Sequence, residues 1–308
     1  MSDFNLTEHL LKIVQLILVF VLGASYVSVI NDYTDKEADK LAKKRNQMTG
    51  VSSSKSIILI IGLFLSGIFT GWYIFKNNSW CLFFWFMSYL AFTAYSCKPL
   101  RLKTKKWWGP IADASGSHIF PCLLILYYIN PDILDEVNLY FFISILGWSV
   151  CFGLRGILLH QSLDYENDKK ALVKTLLQDV NFSKIKQAEL LLIICECLFF
   201  LCILFYVNQP LLYAGSTIYL LYLYLCIKFM KFQPVIFFTV DKERIELLFL
   251  DLYLVFWPLG MLLVFMRQDI YVFLIVLSYL LLFPFKIISI YKQSRIIAYN
   301  ISRRQKLS

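Results

Sequence analysis

The chain alternates between long apolar runs and short polar stretches. Nine apolar runs fall at about Leu10–Ile30, Ile57–Phe75, Cys81–Ser96, Pro110–Ile129, Leu139–His160, Ala188–Val207, Leu211–Met230, Glu246–Phe265 and Ile270–Ile290. At roughly 16–23 residues, each has the length a helix needs to cross a hydrocarbon core of ~30 Å. The sixth and seventh meet at a tight Asn208-Gln209-Pro210 turn, and the eighth and ninth at Met266-Arg267-Gln268-Asp269. The pattern predicts an all-α polytopic membrane bundle of about nine transmembrane helices, with residues 1–308 as one domain. The first run has no basic flank ahead of it and no small-residue cleavage site after it, so it reads as an uncleaved helix.

Composition agrees with this reading. The 308 residues are 59% hydrophobic and the mean hydropathy is +0.64, whereas soluble domains hold ~45–50% apolar residues. Charge adds the topology. Lysine and arginine gather after the first run (Lys36, Lys40, Lys43, Lys44, Arg45, Lys55), the third (Lys98, Arg101, Lys103, Lys105, Lys106) and the fifth (Lys169, Lys170, Lys174, Lys184, Lys186). They recur after the seventh (Lys228, Lys231, Lys242, Arg244) and in the C-terminal tail, while the opposite side holds little beyond Lys12, Lys76 and Arg267. The positive-inside rule then sets the N-terminus outside and the basic loops and C-terminus in the cytoplasm. The net charge of +9 is therefore a topology signal. Nucleic acid is not a partner, because no soluble basic face is available. The eight cysteines lie in or at the ends of apolar runs. Cys195 and Cys197 point ~160° apart on a helix and cannot share a metal, so all eight read as small buried hydrophobes.

Two polar clusters break the apolar pattern where it ends. Asn31, Asp35 and Asp39 recur every four residues at the end of the first run, forming one helical stripe, and Asp32 lies ~100° round from Asn31. At the end of the fifth run Asp164 and Asp168 repeat the spacing, and His160, Gly156 and Gly153 extend that stripe back into the membrane. Either cluster alone also reads as a solvated helix end, with Lys36 and Lys40 as i+4 partners for the first. Together, two sets of carboxylates at the ends of membrane-length helices repel one another and resist leaving water. Divalent cations carrying a diphosphate offset that cost. Magnesium takes oxygen ligands and is commonly shared between one or two carboxylates and substrate phosphates, and it neutralises a departing diphosphate. The developing carbocation needs dry walls with π density, which runs rich in Tyr, Phe and Trp can supply. The pattern points to prenyl diphosphate chemistry inside a membrane.

Three further features bear on this chemistry. In Tyr95-Ser96-Cys97-Lys98-Pro99-Leu100-Arg101-Leu102-Lys103, Arg101 and Lys103 are placed to bind phosphate oxygens; the bland reading is a positive-inside flank. Asp113, Ser115, Ser117 and His118 open the fourth run at the same mouth, so Asp113, His118 and His160 are candidates to position or deprotonate an acceptor. A hydrogen-bonded interior histidine is the alternative for His118. Arg155 falls on the face opposite Asp164, a buried cation needing a partner, with Glu196 and Asp251 as candidates.

These elements together resemble the UbiA superfamily of intramembrane prenyltransferases. Asn31, Asp32, Asp35 and Asp39 match the family's NDxxDxxxD, continuing through Arg45 and Gly50. Tyr95 to Lys103 resembles its YSxxPxRxK segment, and Asp164 and Asp168 its second acidic motif, followed by Lys174-Thr175-Leu176. The likeness covers about residues 10–265. It implies a bundle around a central cavity, a cytoplasmic cap, and Mg2+ held by Asn31, Asp32, Asp35, Asp39, Asp164 and Asp168. It also implies diphosphate binding by Arg101, Lys103 and Arg45, and catalysis centred on Asp35, Asp164 and Asp168. Leu172 stands where the family usually has glycine. The family's usual helix before the first motif has only nine residues to correspond to it here, and an additional C-terminal span is expected at 270–290. The leading expectation is magnesium-dependent transfer of a prenyl group from an isoprenyl diphosphate to a hydrophobic acceptor, aromatic by preference. A terpene cyclase using the same site is the alternative, and a cation-coupled transporter the more distant one, disfavoured because the acidic motifs sit at helix ends rather than mid-membrane.

Overall fold

The structure is a computed structural model that describes residues 6–131, 139–230 and 247–305. Its helices are α1 (Leu6–Ala42), α2 (Ser53–Phe75), α3 (Ser79–Ser96), α4 (Trp108–Ala114), α5 (Phe120–Ile129), α6 (Leu139–Lys170), α7 (Leu176–Asp179), α8 (Phe182–Val207), α9 (Pro210–Met230), α10 (Trp257–Met266), α11 (Val272–Leu282) and α12 (Pro284–Gln305). A 3-10 turn spans Leu102–Thr104, and π-helical turns span Ser115–Ile119 and Leu252–Phe256. Helices α1, α2, α6, α8 and α9 are long and apolar enough to cross a membrane. The fourth apolar run is α4, the first π turn and α5 in succession. The eighth run begins at Glu246, outside the described residues, as do Lys231, Lys242 and Arg244.

One expectation is corrected. The stretch 270–290 is not one straight span. It breaks at Phe283, and the helices on either side meet at 77°. Pro284 is the cause: it has no N–H to donate one turn back, and its ring disfavours helical backbone at the preceding residue. Phe283 accordingly has left the helix, at φ −120° and ψ 48°.

The chain divides into two compact units, Leu11–Ile203 and Met1–Leu10 with Leu204–Ser308. In the first, Val19, Tyr26 and Ile30 of α1, Phe75 of α2, Cys81, Phe84, Trp85 and Tyr89 of α3, and Leu123, Leu124 and Tyr127 of α5 share one buried core. Tyr26 stacks on Tyr89 at 4.9 Å between ring centres and is hydrogen-bonded to Thr93 at 2.8 Å. Glycines let α2 come this close: a methyl group on Gly67 would strike Tyr89, and one on Gly71 would strike Trp85. The Trp85 indole donates to the Gly67 carbonyl at 3.2 Å.

The second unit packs α9 against α10 and α12. Ile297 is buried against Cys226, the Asn300 amide donates to the Phe229 carbonyl at 2.9 Å, and Tyr222 donates to Gln293. Lys286 donates to Asp251 at 3.0 Å. That leaves Arg155 to Glu196, and these two meet in the first unit at 2.6 Å with neither side chain exposed.

Candidate functional site

Both motif-bearing helices outrun their apolar segments. Helix α1 continues past Ile30 to Ala42, and α6 continues past His160 to Lys170. At 1.5 Å per residue, α1 is about 55 Å long and α6 about 48 Å, against a hydrocarbon core of ~30 Å. The acidic stripes ride on these extensions. They face each other across a cavity of about 120 Å³ in the first unit, lined by Asn31, Asp32, Asp35 and Asp39 from α1 and by His160, Gln161, Asp164, Asn167 and Asp168 from α6. Tyr95, Lys103, Lys44, Arg45 and Thr175 also line it, together with small and apolar side chains of α1, α6 and the loop after α6.

The loop after α1 is tied back to the helix by Asn46. Its amide donates to the Asp32 carbonyl and to the Asp39 carboxylate, both at 2.7 Å, and its side-chain oxygen accepts from the Met48 N–H at 2.8 Å. The Gln47 N–H donates to the Asp32 carboxylate at 3.0 Å. Lys36 reaches the Val51 carbonyl at 2.8 Å, so it serves the loop rather than a carboxylate one turn away. Gly50 has φ +81°, a conformation that favours glycine, as the chain turns toward α2.

The cations come from three separate segments. Lys103, 6% exposed, pairs with Asp35, and Arg101 approaches the same carboxylate at 3.4 Å. Lys44 bridges to Asp164 at 2.8 Å, and His160 Nδ1 lies 3.3 Å from the same oxygen. Burial pulls the Lys103 ammonium below the usual lysine range, against the opposing pull of Asp35. At Lys44 burial also acts downward, but Asp164, with Asp39 and Asp168, outweighs it and raises the pKa. Arg101 itself does not line the cavity. It is held at φ 40°, a left-handed conformation that disfavours a side-chain-bearing residue.

The donor set fits a hard cation of one kind. Among the described residues, no three His, Cys, Asp or Glu side chains converge closely enough to hold an ion by themselves. Carboxylate and amide oxygens on facing helices suit magnesium that draws its remaining ligands from phosphate and water, and do not suit an all-protein cage.

Two of the three acceptor candidates lie outside the cavity. His118 packs against Gly153, where a methyl group would sit 2.9 Å from its ring, and edge-on to Phe152 at 5.2 Å. Asp113 also does not line it, and its backbone carbonyl accepts from Ser117 at 2.7 Å. His160 does line it. Leu172 keeps the turn that glycine would make: it has φ 57° and is 85% exposed, just past the end of α6.

Several cavity-lining residues were not singled out from sequence. Gln161 stands three residues before Asp164, on the acidic stripe, and that spacing was the available signal. It is 4% exposed, and neither amide atom has a hydrogen-bond partner. Thr175, which the resemblance already marks in Lys174-Thr175-Leu176, is 6% exposed, and its hydroxyl is likewise without one. Lys44, which lines the cavity, and Asn46, which does not, sit in a stretch whose basic flank masked them, and only the folding-back of the loop gives them partners.

Two of the helices that line this cavity, α1 and α3, line a second one with earlier residues. Phe20, Gly23, Ala24 and Val27 of α1 precede Asn31 on one stripe, and Trp85, Ser88, Tyr89 and Phe92 of α3 precede Tyr95. These residues, with Gly116, Ser117 and Pro121, line a second, mostly apolar cavity of about 430 Å³. Comparison with curated proteins and with solved structures gives no match. Residues 4–257 match the UbiA prenyltransferase family, and the chain belongs to that family.

Proposed function

We propose that this integral membrane protein transfers a prenyl group from an isoprenyl diphosphate to a hydrophobic, aromatic acceptor, with magnesium as cofactor. Family membership carries prenyltransferase-type activity in a membrane. The observation that supports the finer reading is that stripes from α1 and α6, far apart in sequence, line one small polar cavity, while α1 and α3 line an apolar one with earlier residues. That pairing suits an amphiphile with a doubly charged head and a hydrocarbon tail.

In this reading Asn31, Asp32, Asp35 and Asp39 on one side and Asp164 and Asp168 on the other hold the magnesium. Bound magnesium supplies charge neutralisation for the diphosphate. Lys103, Arg101, Lys44 and Arg45 donate to phosphate oxygens, Arg101 through its planar fork. The bond between the allylic carbon and the bridging oxygen breaks, and its electron pair leaves with the diphosphate. The acceptor then bonds to that carbon and gives up its proton, for which His160 is the candidate base within the cavity. The basic flanks set this site on the cytoplasmic side.

The test incubates membranes containing the protein with labelled geranyl, farnesyl and longer diphosphates plus magnesium, with and without an acceptor extract. Prenylated acceptor that forms only with magnesium and extract supports the proposal. A cyclic hydrocarbon or alcohol formed without acceptor identifies a cyclase instead, and full activity in chelator would defeat the metal assignment.

A further inference from the structure

Helix α12 exposes cations at a depth where its neighbour exposes leucine. Three contacts set that depth. Tyr222 donates to Gln293, Cys226 packs on Ile297, and the Asn300 amide donates to the Phe229 carbonyl. Each α12 residue stands 71 positions after its α9 partner, so the two helices run parallel and in step. Helix α9 is long and apolar enough to cross a membrane. Lys292 is then level with Leu221 and Arg295 with Tyr224, nine and six residues before α9 ends at Met230. At 1.5 Å per residue, they lie about 14 Å and about 9 Å short of that end.

Lys292, Arg295, Tyr299 and Arg303 share one stripe by the helix period, and all four are exposed. Phe285 and Ile288, also exposed, continue the stripe away from the basic end. Gln293, Ile297 and Asn300, which meet α9, lie about 100° round from it. Among the described residues no carboxylate pairs with Lys292 or Arg295. Long cations near a helix end ordinarily extend toward water. Arg295 does the reverse: its guanidinium lies over the Tyr291 ring at 6.0 Å, one turn back from the basic end. Helical side chains lean toward the N-terminus in this way. A cation held at such depth needs an anion beside it.

We infer that this stripe binds an anionic phospholipid, with Lys292 and Arg295 on its phosphate and its acyl chains along Ile288 and Phe285. The order of the stripe, apolar and then cationic toward the helix end, is that of a lipid tail and head. The leaflet also matches, because the basic side of a membrane protein faces the leaflet that carries anionic lipid. A second copy of the chain offers no matching acid. Among the described residues the carboxylates inside the apolar runs are Asp113, Glu189, Glu196 and Asp251, and none is exposed. The inference is independent of the reaction proposed for the acidic cavity.

The experiment offers phosphatidylglycerol and phosphatidylcholine with identical acyl chains to the full-length protein in detergent, and native mass spectrometry reads the lipid retained. The wild type should hold phosphatidylglycerol about tenfold more tightly, the scale of two cations near an anionic headgroup. Lys292→Gln combined with Arg295→Gln should abolish the preference without lowering the melting temperature in phosphatidylcholine. Arg295→Lys keeps the charge and should keep most of the preference, which separates loss of charge from loss of fold. Lys228→Gln removes an exposed cation of α9 that lies about 160° round from Cys226, away from α12, and should leave the preference in place. Equal affinity for the two lipids in the wild type overturns the inference. So does a preference that survives the double substitution, or one that Lys228→Gln removes as fully. A protein that copurifies through this face, with no lipid preference, would assign the stripe to a partner helix instead and overturn it too.

Discussion

Helix α6 carries two charged regions that solve opposite problems. Arg155 meets Glu196 at 2.6 Å with both side chains fully buried. Between about two and a half and about three and a half turns further on, Asp164 and Asp168 face Asp35 and Asp39 across a cavity, with Lys44, Lys103 and His160 around them. In the first region a cation and an anion are sealed against each other inside apolar segments, where an unpaired charge is expensive. In the second, carboxylates crowd together at helix ends near water, and their cations come from three loops and helices rather than one partner. A closed pair of this kind holds helices in register. An open cluster keeps charge available for something brought in from outside.

The largest effect should come from breaking the closed pair. Arg155→Met leaves the Glu196 carboxylate buried without that guanidinium, and removing one partner of such a pair costs about 3–5 kcal/mol. The variant should show a large loss of folded protein and of thermal stability in detergent. Adding Glu196→Leu should recover most of the loss, because two well-packed apolar residues replace the pair. A single variant as stable as wild type would show that the pair is not closed.

The open cluster should respond in activity instead. Asp35→Asn and Asp164→Asn should each lower turnover about a hundredfold or more, the scale of losing one preorganised electrostatic group, while yield and melting temperature stay near wild type. Fold loss matching that of Arg155→Met would erase the contrast between the two regions. A smaller effect belongs to Arg101, which reaches Asp35 at 3.4 Å from outside the cavity wall. Arg101→Ala should weaken use of the diphosphate substrate about tenfold, and Arg101→Lys should recover only part of it, since lysine cannot donate as a fork. Unchanged KM and rate would make Arg101 a topology flank only.

The smallest effect lies at the rim of the open region. Leu172 holds a left-handed backbone with its side chain in solvent. Leu172→Gly should relieve about 1 kcal/mol of strain, partly offset by the greater flexibility of the unfolded glycine chain. A slight rise in melting temperature with unchanged turnover is expected. A fall would mean that the leucine packs against something in the working protein.

The helical class and the two acidic stripes were legible in the sequence because both are local. Apolar runs of membrane length can satisfy their backbone only as helices, and i, i+4 spacing puts Asn31, Asp35 and Asp39 on one face whatever surrounds them. The resemblance to the family rested on those residues too. Tertiary structure decided the partnerships. Sequence offered Arg155 two carboxylates, and only packing gave it Glu196 and gave Asp251 to Lys286. It offered three acceptor candidates, and the fold lined the cavity with His160 while turning His118 against Gly153. Asn46 carries no signal of its own, and Gln161 only its spacing on the acidic stripe; their roles come from a loop folding back and from the opposing helix. Hydropathy also read 270–290 as continuous, because it averages over the single proline that bends the chain there. Periodicity fixes which residues share a face, but which face meets which depends on contacts between residues distant in the chain, and no local spacing records those.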